Sequence, residues 1–577
     1  MKASYKEEYR SQESGVRGKT AFVPTSEFRS PRLLLVFWLL LSLLSVFFAP
    51  FVRAQESPER REGLADLTTS GQQPLTLSVE DAVLLALNRN RDLKVQILNP
   101  QIAQTRAQEH MSDFDLEPFL KLQIGQTRDE SSQNQDDLRR DYSRIPEEEY
   151  NKYFGDVLKI TTTNSSQTPT AALGFSKLFS TGTKLEIGLQ SQYSDQEREQ
   201  TTQKAFITDK LSISCSTYSN SGSITLTQPL LRGMGRKINL SLANQAEIDR
   251  QISAYELQQY AIELVAKVQK NYWNLVLAEE TLKIREKSLD LAERQMNETQ
   301  ERINLGKQAE SELVSAQAEV ASEKAKLIDA KNTLSKRTLD FLYLLNPDVE
   351  TLWDQKVNLT TPPAPIEREI GGIHEHVTAA MRFRPDINQA HLNYKKGDLE
   401  VVRTQNGLLP RLDFFITLKQ MASGPEFPAS FSEFDDSDYV AGFNLSRPLG
   451  NTRAKAQARR ASLTRLQYQE SIANLKQSIQ VEIRKAIVEI NSCTEQITAS
   501  RANRIMQEEK LKVEQETFRV GRSTNFKVFQ VQRDLTEAQV NEVTAIIGQI
   551  KAHIDLQVSE GTLLQQWSIE TLSPLLR

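Results

Sequence analysis

The 577-residue chain has only two cysteines, Cys215 and Cys493, so no disulfide framework holds it together. It has no excess of either charge. Its 71 Lys and Arg stand against 75 Asp and Glu, which leaves no field for gathering nucleic acid. Long apolar runs are scarce too: 39% of residues are hydrophobic and 25% charged, which excludes a polytopic helical membrane protein. The one such run, Leu33 to Phe48, is about 16 residues, short for a bilayer span and suited to the core of a secretory signal. Arg29 and Arg32 precede it, and Val52-Arg53-Ala54-Gln55 follows. Cleavage is expected after Ala54, giving a signal peptide over 1–54; an uncleaved inner-membrane anchor is the other reading. Gln55 is not the cysteine that amino-terminal lipid attachment requires.

Catalytic machinery is also missing. No phosphate-binding loop, dinucleotide glycine pattern or nucleophile elbow occurs. Gly233-Met234-Gly235 lacks the third glycine and the lysine; it reads as a bend from strand into helix. His374-Glu375-His376, with His391 nearby, invites a metal, but residues two apart on a helix face different ways. Tyr272-Trp273 and Phe414-Phe415 read as core and lipid-interface packing. The expectation is no enzyme, no cofactor and no metal.

Proline and glycine are absent from Lys237 to Ile303 and from Thr452 to Phe518. A helix of that length reaches roughly 100 Å, too long for an ordinary globular core. Along the first window Ala261, Val268, Leu275, Leu282, Leu289, Met296 and Ile303 step by sevens into Leu305-Gly306-Lys307. Along the second, Ile483, Ile490, Ile497, Arg504, Leu511 and Phe518 step into Val520-Gly521-Arg522, an offset of 215. Such a stripe is a seam against other helices. Leu313, Val320, Leu327, Leu334 and Phe341 return in one copy; Val540, Val543, Ile547, Ile550 and Ile554 return in the other. Each copy is therefore a long helical hairpin, over 237–345 and 452–560. Cys493 falls 215 residues after Ala278, as a small packing residue.

The duplication extends upstream. Ser78 caps a short amphipathic helix, and a second helix follows Asp92. Val83, Ala86, Leu87, Asp92 and Leu93 match Val377, Ala380, Met381, Asp386 and Ile387 at an offset of 294. After each helix pair the period changes to two. Pro118, Leu120, Leu122 and Ile124 alternate with polar residues, as do Leu412, Phe414, Ile416 and Leu418. Strands are expected at 118–127 and 221–229, and again at 411–420 and 438–447. From Ile124 to Gly235 is 111 residues but from Ile416 to Gly450 only 34, an excess of 77 in the first copy. Within it Leu173, Phe175 and Phe179, a turn at Ser180-Thr181-Gly182, and Leu185, Ile187 and Leu189 make one extra hairpin at about 170–193. The polar stretches 128–169 and 194–220 are expected as loops at the opposite end.

The expected organisation is a disordered lead-in over 55–74 and a first repeat over 75–346. A proline-rich linker over 347–371, a second repeat over 372–565 and a tail over 566–577 follow. The fold class is a tandem-duplicated α+β membrane protein, with four strands per chain, or six if the extra hairpin joins them. Four or six strands cannot close alone, since spanning barrels need at least about eight. Three copies give about 12 or 18.

The order of short helix, helix, strand pair and long hairpin, given twice, resembles the TolC-like outer membrane efflux proteins over about 75–565. Leu226-Thr227-Gln228-Pro229-Leu230, Tyr272-Trp273-Asn274 and the Gly306 and Gly521 turns carry the resemblance. It implies a homotrimer: a transmembrane β-barrel in outer membrane lipid above a periplasmic α-barrel. It implies that Leu305, Gly306, Lys307, Val520, Gly521 and Arg522 dock a periplasmic membrane-fusion adaptor serving an inner-membrane RND or ABC transporter, in efflux or type I secretion. It places Glu312, Lys527 and Gln530 at the closed periplasmic mouth, where Glu312 is expected to meet Lys527. Lys527 and Gln530 stand where well-known members carry acidic residues, so cation selectivity is not expected. The rival readings are a structural periplasmic coiled-coil protein, which leaves the alternating strands idle, and a metal-dependent exported hydrolase.

Overall fold

A computed structural model describes residues 75–204, 207–346, 357–367, 370–427 and 436–566. The expected signal peptide and lead-in, residues 347–356 and 368–369 of the linker, and residues 567–577 of the tail lie outside the described residues. The first repeat begins with β1 (Leu75–Leu77), α1 (Val79–Arg89), α2 (Arg91–Ser112) and β2 (Leu116–Asn134). Two short helices, α3 (Gln135–Asp141) and α4 (Glu147–Phe154), lead to β3 (Val157–Leu178), β4 (Lys184–Lys204) and β5 (Thr208–Pro229). The turn α5 (Arg236–Asn239) opens the hairpin of α6 (Ser241–Asn304) and α7 (Glu310–Leu345). The second repeat comprises β6 (Val357–Leu359), α8 (Ile373–Phe383), α9 (Pro385–Asn406), β7 (Arg411–Gly424) and β8 (Asp436–Ser446). The hairpin α10 (Thr452–Arg519) and α11 (Asn525–Glu560) follows, then the turn α12 (Leu563–Gln566).

Local chemistry sets the ends of these helices. α1 and α8 differ by 294 at both ends, as do α2 and α9; α7 and α11 differ by 215 at both ends. Ser78 opens α1 with a capping box: its hydroxyl accepts from the Asp81 amide at 3.1 Å, and Asp81 accepts from the Ser78 amide at 3.3 Å. At the far ends of α7 and α11 the equivalent residues Asn346 and Gly561 take left-handed backbone, with φ of 46° and 74°, which stops each helix.

The hairpins bury the expected stripes unevenly. Ala261, Val268 and Leu275 are fully buried against α1, α7 and α11, with Tyr272 and Phe341 in the same cluster. Ile483, Ile490, Ile497, Leu511 and Phe518 are buried in the second copy. In the lower half of α6, however, Leu282, Leu289 and Met296 are only half-buried, and Ser288, Ala292, Gln295 and Thr299 are buried in their place. Steps of four, three and four still make a seam, displaced one residue in a helical turn, and its polarity hides it from an apolar count.

β1 and β6 form a short parallel pair between the repeats, Leu75 opposite Val357 and Leu77 opposite Leu359. Three residues are too few for a periodic signal, and neither strand was expected. The other six strands form one sheet in the order β2-β3-β4-β5-β7-β8, antiparallel throughout. The extra hairpin is β3–β4, inserted between β2 and β5.

Its extent corrects the sequence expectation. Of the stretches expected as loops, 194–220 is nearly all strand and 128–169 is strand at both ends with α3 and α4 between: β2 runs on to Asn134, β3 begins at Val157, β4 ends at Lys204 and β5 begins at Thr208. In these extensions both faces carry Ser, Thr, Gln, Asn and charge, and apart from Leu211 and Ile213 of β5 alternation is faint although the backbone ladder continues. β7 and β8 likewise extend past the expected 411–420 and begin before 438.

Candidate functional site: the hairpin tips and the seam between them

Both hairpins turn by the same backbone device. In the first tip the amides of Leu305, Gly306 and Lys307 donate to the carbonyls of Glu301, Ile303 and Arg302 at 3.1, 2.8 and 2.9 Å. In the second, Val520, Gly521 and Arg522 donate to Glu516, Phe518 and Thr517 at 3.1, 2.9 and 2.9 Å. This closes each long helix with a Schellman-type turn, which needs one left-handed residue. Gly306 supplies it at φ 67° and Gly521 at φ 80°. No atom lies within 4 Å of a Cβ built at either glycine, so backbone conformation rather than space selects glycine.

The turn projects the same chemistry twice. Leu305 and Val520 are 69% and 68% exposed, and the cations Lys307 and Arg522 beside them are exposed as well. Both tips thus present one exposed apolar side chain beside one exposed cation at equivalent positions.

Between the tips lies polar structure that the apolar heptads did not reveal. Asn525, in the first turn of α11, is fully buried; its Oδ1 accepts from Gln295 Nε2 at 3.0 Å and from Thr299 Oγ1 at 3.1 Å. Further along, Ser288 and Thr536 hydroxyls meet at 3.1 Å. Asn525 and Thr536 on α11 meet Ser288, Gln295 and Thr299 on α6, and with buried Gln532 each set steps by seven and then by four. Uncharged polar residues at heptad spacing were the signal available in the sequence. Arg302 completes the seam: its guanidinium lies 4.5 Å over the Phe518 ring and donates at 3.2 Å to the Phe518 carbonyl, which also takes the Gly521 amide.

The expected mouth residues sit apart. Glu312 is half-buried in the first turn of α7, where a carboxylate favours the helix dipole. Lys527 Nζ lies 3.7 Å from Glu514 Oε2 at the end of α10, and among the described residues no ion pair joins it to Glu312. Lys527 reaches back across its own hairpin because Glu514 is the nearer carboxylate. Gln530 is exposed.

At the other end of the hairpins a second cluster ties α8 to α10 and α11. Arg384 donates to Glu482 at 2.6 Å, to Asp386 at 2.7 Å and to the Ser559 carbonyl at 3.1 Å. Burial opposes charge on Arg384, but the two carboxylates outweigh it and raise its pKa. Burial pushes Glu482 up, and its hydrogen bonds from Arg384 and Ser478 outweigh that and hold it below the usual carboxylate value. His376 contacts Glu560 through Nδ1 and does not gather with His374 and His391; among the described residues no group of three or more His, Cys, Asp or Glu is placed to hold a metal ion. Tyr272 is fully buried, its hydroxyl donating to the Leu77 carbonyl at 3.3 Å and accepting from the Thr361 amide at 3.1 Å. No helix among the described residues is long and apolar enough to cross a membrane.

None of the curated proteins matches the sequence. The fold is that of solved channels at low identity. The CmeC outer membrane channel of Campylobacter jejuni is 14% identical, with 86% of this chain and 90% of that one covered at a TM-score of 0.56. The outer membrane protein VceC of Vibrio cholerae is 12% identical, with 84% and 96% covered at 0.56. The open state of the MtrE outer membrane channel of Neisseria gonorrhoeae is 14% identical, with 84% and 88% covered at 0.55. The outer membrane efflux protein family matches residues 181–341 and 378–562, so the second repeat matches from its short helix onward and the first only from the turn of the extra hairpin. With more than half its length in that match, the chain belongs to the outer membrane efflux protein family, placed in the outer membrane with its helical part in the periplasm.

Proposed function

We propose that three copies of the chain form one passive exit duct, in which the sheets close into a β-barrel through the outer membrane and the hairpins ring a periplasmic channel. The observation that carries this is the sheet. Six antiparallel strands with one apolar face leave β2 and β8 as open edges, and lipid forbids open edges. Because strand direction alternates across an even number of strands, β8 of one copy meets β2 of the next antiparallel, and a ring closes without a mismatch.

The tips, Leu305, Gly306, Lys307, Val520, Gly521 and Arg522, dock a periplasmic membrane-fusion adaptor, and an inner-membrane RND or ABC transporter supplies the energy, in tripartite efflux or type I secretion. Glu312, Lys527 and Gln530 line the closed mouth, with Glu312 meeting Lys527 in place of the Lys527–Glu514 pair. Replacing Glu312 and Lys527 together by Ala raises conductance; an unchanged closed state sinks the gate assignment.

Purified protein in a planar bilayer, with its mass measured in detergent, tests the whole reading. A trimer that conducts supports it. A soluble, non-conducting product is the structural coiled-coil protein instead, a reading that the exposed apolar sheet face opposes.

A further inference from the structure

We propose that the extra hairpin β3–β4 is a pair of full barrel staves in each copy, so that the closed duct has eighteen strands rather than the twelve of the symmetric duplication, and stands beyond the membrane on its outer side. This rests on the trimeric barrel reading above. One repeat contributes two strands, β7 and β8, and the other four; six per chain in three chains give eighteen, and four per chain give twelve.

The hairpin continues the apolar face of the sheet without a break in register. Pro118, Phe175, Ile187, Ile224, Leu418 and Tyr439 are successive cross-strand partners from β2 to β8. The next row outward, Leu120, Leu173, Leu189, Gly222 and Gln420, is apolar through the hairpin as well. All four hairpin residues in these rows, Leu173, Phe175, Ile187 and Leu189, are exposed in the single chain. A flap packed beside a barrel would bury that face against it; this one presents it as part of the shared surface.

On the opposite face the hairpin is fitted to its neighbour. The Phe119 ring of β2 lies across Gly174 and Gly188: a Cβ at Gly174 would stand 2.7 Å from Phe119 Cζ, and one at Gly188 3.8 Å. Phe415 covers Gly442 in the same way in the second repeat, with a Cβ there 3.0 Å from its Cζ. Aromatic cover over strand glycine is a device of curved sheets. The turn of the hairpin is anchored as well: the Gly235 amide donates to the Thr181 carbonyl at 3.0 Å, and Thr183 Oγ1 to Gln228 Oε1 at 2.5 Å.

The band between two aromatic borders has the height of a bilayer core, with one polar row, Ser191 opposite Asn220, just inside its far border. Phe414 and Phe443, 5.3 Å apart between ring centroids, border it near the helices; Tyr193 and Tyr218, 4.7 Å apart, border it at the far side. Gln228, opposite Phe414, and Tyr218 are ten positions apart on β5, about 33 Å along the strand, or about 25 Å of height at a tilt near 40°. Past the tyrosines the same face turns polar in every row: Gln126, Gln167, Asp195 and Ser216, then Glu130, Thr163, Glu199 and Ser212. Those rows have no place in lipid and project into the medium outside. Eighteen staves widen the backbone cylinder from about 24 Å to about 35 Å.

Single cysteines in a C215S/C493S background test the proposal in outer membranes of cells making the full chain. Leu173→Cys and Ile187→Cys are expected to react with a lipid-soluble maleimide and resist a charged, impermeant one. Ala172→Cys and Gln190→Cys, facing the lumen, are expected to react with the impermeant reagent at least tenfold faster than those two. Ile416→Cys and Thr417→Cys on β7 serve as the reference. Alternation on β7 and on the hairpin supports the staves. Alternation on β7 alone overturns them and leaves the twelve-stranded duct standing, and loss of alternation on both overturns the barrel itself.

Discussion

Asn525→Ala is the sharpest probe of how the two hairpins are held together. The side chain is fully buried and accepts two hydrogen bonds, from Gln295 Nε2 at 3.0 Å and Thr299 Oγ1 at 3.1 Å. The two donors are not equally exposed to its loss. Thr299 Oγ1 also has the Gln295 carbonyl at 2.8 Å, so it keeps an acceptor inside its own helix. Gln295 Nε2 is then the donor left without a partner, which costs about 1–3 kcal/mol, and the small void adds to it. Loss of Asn525 Nδ2, itself a buried donor without a partner among the described residues, offsets part of this, and a net loss of about 1 kcal/mol corresponds to roughly fivefold more frequent opening of the α6–α11 contact. Hydrogen exchange read by mass spectrometry over residues 525–536 measures that opening directly. Gln295→Ala removes the same bond from the other side, so the double variant is expected to fall short of the sum by about 1 kcal/mol or more. Additivity within about 0.5 kcal/mol would show that the two residues are not coupled and would refute the reasoning.

Other consequences follow from the same structure. Gly306→Val and Gly521→Val force a branched residue into left-handed backbone and cost about 1–2 kcal/mol each in tip stability, whereas Asn at either position costs clearly less; exchange of the tip amides ranks them. Leu305→Ser combined with Val520→Ser leaves melting unchanged and weakens capture of the adaptor by about tenfold or more, measured by pull-down with the cognate adaptor. Tyr272→Phe strips the bridge between the Leu77 carbonyl and the Thr361 amide and lowers unfolding stability by about 1–3 kcal/mol, with faster exchange at Thr361. Glu482 has a folded pKa below its unfolded one, so its contribution is complete above the unfolded value near 4.3 and fades as pH falls through the lower folded value. The melting-temperature gap between wild type and Glu482→Gln is therefore expected at pH 7 and shrinks below about pH 4.

Much of this molecule was written locally and could be read from the sequence. The two repeats announce themselves because caps and turns are decided by a few adjacent residues: Ser78 with Asp81, and Gly306 and Gly521 at equal offsets. The upper heptads were legible because Ala261, Val268 and Ile483 are apolar and repeat every seven. The family resemblance and the outer membrane placement rest on that order. The tip positions were named from the sequence for the same reason, though their docking remains a proposal for experiment. Tertiary structure alone decided the rest, because it depends on what lies opposite. The α6–α11 seam near the tips is Ser288, Gln295 and Thr299 against Asn525 and Thr536, and a polar side chain shows itself as core only when its hydrogen-bond partner is known. The strands beyond Tyr193 and Tyr218 are mostly polar on both faces, with little more than Leu211 and Ile213 of β5 left to alternate, so their order comes from backbone pairing. The pairing of β5 with β7, which joins the two repeats with Ile224 opposite Leu418, is between residues far apart in the chain, and no local pattern encodes it.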